Sequence, residues 1–255
     1  MNAKSSLDAS PTTGRISRAA LSSFYIATTA GLLGLLASFG SRWGWWHFRI
    51  GFIMLLAVVL GALVALVLSV IGLISSRPGG SRRGARWAIL GLLMSLVVLA
   101  LPVKLVVDGL TLPPINDITT DTENPPSFIA LLPHRQNADN PAEYRGAEVA
   151  AQQRQAYPKV RPELLTVPPA QAFERAHKAA KDMGWEIVEA NPNDGRIEAI
   201  ATTFWFGFKD DVVVRISPAN EGSRIDVRSV SRVGTSDVGV NASRIEEYLS
   251  RVRKN

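Results

Sequence analysis

Residues 226–241 read DVRSVSRVGTSDVGVN and hold two arginines, two aspartates, four hydroxyl residues and one asparagine, spaced by valines and glycines. Guanidinium groups grip carboxylates and phosphates through a planar fork of donors. Set near the start of a helix, such arginines make an anion site. The flanking chain adds Asp210, Asp211 and Arg215 upstream and Arg244 downstream. The candidates for binding an anion or a protein partner are therefore Asp211, Arg215, Arg228, Arg232, Asp237, Asn241 and Arg244. The same groups suit a second role. The arginines can close an internal ion-pair network with Asp210, Asp211, Asp226 and Asp237. Asp237 can then order a turn, and Asn241 or Ser243 can cap a helix.

Other chemistries find less material. Asp210 and Asp211 are adjacent, so in a strand they point to opposite faces and make a poor acid–base pair. The three histidines, His47, His134 and His177, are scattered, and the chain has no cysteine. That composition excludes Cys-ligated metals, thiol nucleophiles, disulfides and a His-rich metal site. No nucleophile elbow, phosphate-binding loop or dinucleotide fingerprint occurs. Neither a catalytic residue, a metal nor a cofactor is assigned. Phe204, Trp205, Phe206 and Phe208 read as sheet core rather than a ligand platform.

Four strands must position the polar groups. WEIVEA turns through NPNDG into RIEAIATTFWF, and DDVVVRI turns through SPANEGS into RIDVRSVSR. Turn residues between alternating β-branched runs predict antiparallel hairpins. Alternation places Val212, Val214, Ile216, Ile225 and Val227 on apolar faces, and Asp211, Arg215, Arg228 and Arg232 on the opposite polar face. An Asp211–Arg228 pair across the strands is expected from that placement. TVPPAQAFERAHKAAKDMG before the strands and SRIEEYLSRVRK after them have helical apolar spacing. Thr166 is the expected cap of the first, and Ser243 with Glu246 a capping box for the second. A short helix is expected near 143–156. The fold class is α+β, a four-stranded antiparallel sheet with packed helices.

The first half has a different character. Residues 19–39, 50–74 and 87–103 contain no charge. Stretches of about 20 apolar residues cross a bilayer as helices. Residues 1–108 carry ten Lys/Arg against Asp8 and Asp108, a net +8, whereas the remaining 18 Lys/Arg and 20 Asp/Glu give −2. The outer half thus lacks the cationic excess of a nucleic-acid interface, and nucleic acid is excluded as a partner. Lys4, Arg15, Arg18, Arg77, Arg82, Arg83 and Arg86 flank the spans on one side, which predicts a cytoplasmic N-terminus. Trp43, Trp45 and Trp46 then fit the opposite interface. Ala57, Gly61, Ala65 and Ser69, four apart, form a small-residue face for packing against another span or a second copy. The expected division is a cytoplasmic tail at 1–18, three transmembrane helices at 19–108, a proline-rich tether at 109–133 and a periplasmic α+β domain at 134–255.

FKDD at 208–211, RSVSRVGTSDVGVNASRI at 228–245 and NDITTDTENPPSF at 116–128 together resemble the family catalogued as domain of unknown function 1499. The resemblance covers roughly residues 115–254 and implies a membrane-attached bacterial member. It carries no catalytic residues to these positions. Some relatives have a cysteine near the domain start, and this chain has none, so a thiol or lipid-anchor role there does not apply.

The resulting expectation is a bacterial inner-membrane protein with a periplasmic binding or interaction module, recognising a protein or anionic ligand beside membrane lipid. A hydrolase or transferase using the Arg/Asp cluster, and an envelope scaffold, are the alternatives. A pocket lined by Asp211, Arg228 and Asp237 would favour a ligand or active site; a fully paired face would favour a structural role or a protein partner.

Overall fold

A computed structural model describes residues 15–77 and 82–255. Most of the expected N-terminal tail and residues 78–81 of the second loop lie outside the described residues. The chain divides into two compact units, Met1–Val103 and Lys104–Asn255.

The first unit is built on three helices, each long and apolar enough to cross a membrane: α1 (Arg18–Arg42), α2 (Phe48–Ser75) and α3 (Ala85–Thr111), whose last turns belong to the second unit. Small residues let the helices approach. A Cβ on Gly72 would fall within 3 Å of the Ala20 backbone, and one on Gly91 would meet Ser23 Oγ. Of the expected small-residue face, Gly61 lies against Ala30, Ala65 and Ser69 are buried, and Ala57 is exposed. Most of that face therefore packs inside this unit. The Ser17 amide donates to the Arg83 carbonyl at 2.8 Å, so the start of α1 and the α2–α3 connection share one end.

The second unit is α+β. Its sheet is antiparallel, in the order β1-β6-β5-β4-β3, with β2 also on β6. The strands are β1 (Asp117–Thr119), β2 (Glu163–Leu165), β3 (Glu186–Asn191), β4 (Arg196–Thr202), β5 (Lys209–Ala219) and β6 (Gly222–Ser231). The sequence signalled the last four. β1 and β2 have three residues each, too few to show alternation. β1 lies within the stretch expected to be a tether, yet residues 115–120 are all buried and Asp117–Thr119 pair with residues 228–230 of β6. That stretch is part of the sheet.

Helices α5 (Pro169–Asp182) and α6 (Val240–Lys254) cover one face. Phe173, Ala176, Ile245 and Tyr248 meet Val212, Val214, Ile225 and Val227 there. Tyr248 donates to the Ala176 carbonyl at 2.9 Å and stacks on Trp185 at 4.8 Å, joining the helices to the sheet. Pro168 precedes α5 without a side-chain cap, so the expected Thr166 cap is not made. The α6 N-cap is Gly239 at φ +83°, and the expected Ser243–Glu246 box gives way to Asp237 from the preceding loop.

Helix α4 (Ala147–Ala156) shields the outer edge of β1. Gln153 accepts from the Thr119 amide at 2.9 Å and donates to its carbonyl at 2.6 Å. A side-chain amide thus stands in for a further strand where an edge would otherwise invite pairing. The second sheet face is covered by irregular chain, including a 3-10 turn at Leu132–Arg135. Phe128 and Leu131 pack there on Ile200, Val213 and Val230.

Candidate functional site

The seven candidates divide between the two sheet faces, those of β5 and β6 by strand alternation and the last three by their place in the loop before α6 or on α6 itself. Asp211, Arg215, Arg228 and Arg232 lie toward the irregular cover, as expected. Asp237, in the loop before α6, and Asn241 and Arg244, on α6, lie on the helix-covered side. No single site holds all seven.

On the cover side, Asp211 stands opposite Val230, and Arg228 opposite Val213. The expected Asp211–Arg228 pair does not form. Asp211, with a fully buried side chain, binds Arg232 at 2.7 Å and Arg135 at 2.5 Å. Arg228 forks onto Asp117 at 2.9 and 2.7 Å and also donates to the carbonyls of Pro126 and Ala142. Its guanidinium lies 5.1 Å from the Phe128 ring centroid, and that of Arg135 lies 5.4 Å from the same ring. Arg135 further donates to the Asn140 and Pro141 carbonyls. An irregular segment leaves main-chain oxygens without strand partners, and buried ones need donors. The five-donor guanidinium supplies them while its charge is balanced by a sheet aspartate. Glu198 does the converse. Its buried carboxylate accepts from the amides of Ile129, Ala130 and Leu131 at 2.8–3.1 Å.

Arg215 binds Asp121 and Asp226 at 3.0 and 2.9 Å, and Arg224 shares both partners. The hydrogen bond to Asp226 is the chief cause holding the Arg224 guanidinium pKa above its ordinary value. This group is partly exposed. It borders a hollow of about 520 Å³ lined by residues 120–124, Arg154, Pro162 and Arg224.

On the helix side, Arg244 binds Asp210 at 2.6 Å and Ser229 Oγ at 3.0 Å. Asn241 links Ser229, Ser231 and the Asn116 carbonyl. Asp237 accepts from the Gly239 and Asn241 amides at 3.0 and 2.7 Å. Burial pushes its carboxyl pKa up, against those two hydrogen bonds. The charge at a helix start is favourable, but its desolvation is the larger influence. Burial, followed by the charge of Asp117, likewise pushes the Tyr144 hydroxyl up to about 12, so it stays protonated at neutral pH.

Asp117, Arg135, Asn140, Gln153 and Glu198 complete these networks and were not singled out by sequence. Each has a partner 34 to 111 residues away, beyond any local spacing rule. Phe204 and Trp205 are exposed in a turn rather than buried as sheet core. Gly207 at φ +70° breaks the extended chain, and Thr203 and Phe208 close the turn with bonds of 2.8 and 2.9 Å. Among the described residues, no group of three or more His, Asp or Glu is placed to hold a metal ion.

Neither of the two best-defined hollows is lined by Asp211, Arg228 or Asp237. No curated protein matches the chain. The model of a protein family of unknown function (DUF1499) matches residues 117–252, more than half of the chain, from β1 to the last turn of α6. The chain belongs to the DUF1499 family.

Proposed function

We propose that this chain is a non-catalytic recognition module anchored in a bacterial inner membrane, its N-terminus cytoplasmic and its α+β unit periplasmic. The observation that carries the reading is the fate of the Arg/Asp motif. Asp211, Arg228 and Arg135 have side chains at most 3% exposed, and their ion pairs and bonds to main-chain carbonyls hold the cover to the sheet. They leave no open site at which a reaction would begin. Recognition then falls to the rim, where Arg154 and Arg224 stand beside Asp121 and Glu123 around the larger hollow. Such a surface suits an anionic group or a charged protein segment. The orientation rests on the arginines shared by the start of α1 and the second loop.

The full chain in lipid nanodiscs provides the test. Titration with inorganic phosphate should show saturable binding that Arg154→Gln, at a residue bonded among the described residues only to the Thr122 hydroxyl in an exposed contact, weakens without lowering Tm. Hydrolysis of phosphoester or carboxyester probes that Asp211→Asn abolishes in a still-folded protein would replace this reading with the hydrolase alternative. Alkaline phosphatase fused after Asn255 should be active in cells; a cytoplasm-only fluorescent reporter that lights up there instead would reverse the orientation.

A further inference from the structure

A hydroxyl inside an apolar span needs a partner, because lipid tails offer none. Within the first unit several hydroxyls find one in their own helix. Thr28 donates to the Phe24 carbonyl, Ser38 to Gly34, Ser69 to Ala65 and Ser95 to Gly91, at 2.7–3.0 Å. Ser22, Tyr25 and Thr29 of α1 do not. All three are exposed, and among the described residues no hydrogen bond reaches their hydroxyls. The other spans differ. Every exposed residue at 50–74 of α2 and 87–103 of α3 is apolar, and lipid solvates such faces.

The three hydroxyls share one face of α1. The exposed positions Arg18, Ser22, Tyr25, Thr29, Leu32 and Leu36 are four and three residues apart by turns. That is the 3.5-residue period of a parallel helix pair, which crosses at about 20° in membranes. Depth separates the hydroxyls. Ser22 and Tyr25 lie within three turns of Arg18, and a tyrosine can reach the headgroups from there. Thr29 lies about 16 Å along the helix from Arg18, near the middle of a hydrocarbon core about 30 Å thick. Its hydroxyl has no headgroup to turn to.

We propose that this face of α1 docks a second copy of the chain as a parallel helix pair. The pair rests on α1 spanning the membrane, holds for either orientation of the N-terminus, and is independent of what the rim around Arg154 and Arg224 recognises. It also differs from the small-residue face of α2, most of which packs inside the unit. The occupant follows from complementarity. A hydroxyl both donates and accepts, so Ser22 and Thr29 each satisfy the identical group on a second copy. A second copy inserted in the same direction carries each residue of its α1 at the depth of its counterpart, and seam residues of a parallel pair meet their counterparts. Leu32 and Leu36 continue the contact by apolar packing. Arg18 stays among the headgroups, where anionic lipid phosphates lie between the two charges.

The test uses the full chain in phosphatidylcholine–phosphatidylglycerol vesicles and exploits the absence of cysteine. Leu32→Cys leaves all three hydroxyls in place and should form an intermolecular disulfide on mild oxidation. Leu60→Cys and Val97→Cys, at comparably exposed positions near the middle of α2 and α3, should form none. Equal cross-linking at the three positions means random collision and overturns the proposal, as does its absence at Leu32. Thr29→Val removes the hydroxyl and keeps the shape. It should weaken association about threefold or more, the weight of one interhelical hydrogen bond in lipid, read by Förster transfer between labelled chains. Unchanged association also overturns the proposal, because something other than the hydroxyls would then hold the pair. Phosphate binding at Arg154 is unaffected by either outcome, so the two proposals fail separately.

Discussion

Arg228→Ala and Asp117→Ala, made singly and together, test whether the irregular cover is held by buried charge. The two side chains are 3% and 4% exposed and meet through two bonds. Removing one partner of such a pair costs about 3–5 kcal/mol, because the other charge stays buried without compensation. The two losses differ in what they leave behind. Without Asp117, Arg228 keeps the Pro126 and Ala142 carbonyls and the faces of Phe128 and Tyr144. Asp117→Ala should therefore cost about 3 kcal/mol, the lower end of that range. Without Arg228, Asp117 loses its ion-pair partner, two carbonyls lose a donor, and Phe128 loses a cation. Arg228→Ala should approach about 5 kcal/mol. The double variant removes both charges and should fall short of the sum by about 2–3 kcal/mol. Urea denaturation of residues 111–255, followed through Trp185 buried against Tyr248, measures all four species. Losses that add to within about 0.5 kcal/mol would show that the pair is not coupled. A larger coupling between Asp211 and Arg228 than between Asp117 and Arg228 would reinstate the pairing that strand alternation alone suggests.

Residues 111–255 hold the whole sheet, α4, α5 and α6, and should unfold alone in one cooperative transition; a monodisperse preparation without one would mean that the membrane helices complete the core. Asp237 has its carboxyl pKa raised by burial, so its contribution is full below the unfolded value of about 3.9 and is lost as pH rises through the higher folded one. The stability of the parent minus that of Asp237→Asn should therefore decline as pH rises above about 4, and a rising difference refutes the assignment. Gly222, at φ +139°, would place a Cβ 2.1 Å from the Leu165 carbonyl oxygen, whereas Gly184, at φ +69°, has nothing within 4 Å. Gly222→Ala should unpair β2 and cost well over the roughly 1 kcal/mol expected of Gly184→Ala from backbone strain alone; equal losses in thermal melts would contradict the close approach.

What could be read in advance follows the range of each signal. Uninterrupted apolar runs marked α1, α2 and α3, because lipid solvation acts on every residue of a span. Two-residue alternation put Val212, Val214, Ile225 and Val227 toward the helices and separated Asp210 from Asp211, because that period belongs to the strand itself. The partners of those charges were hidden. Arg228 finds Asp117 in a three-residue strand, and Asp211 finds Arg135 in a 3-10 turn, neither of which has a period to detect. The run at 204–208 misled for the opposite reason: alternate phenylalanines imitate a strand's core face, and Gly207 at positive φ converts them into a turn.

The nearness of β1 to the membrane helix limits where this unit can act. Five residues, 112–116, separate Thr111 at the end of α3 from Asp117 at the start of β1. Fully extended, they reach about 17 Å. A domain on so short a leash cannot sweep the depth of the surrounding compartment. It moves with the bilayer, and its encounters become a search in two dimensions for anything held in or near the same membrane. Confinement to that thin layer raises the local concentration of such targets, as a short linker does between joined binding modules. If the rim recognises a target as proposed, weak contacts there would suffice for membrane-held targets, while dissolved ligands would meet the unit only as often as bulk diffusion brings them.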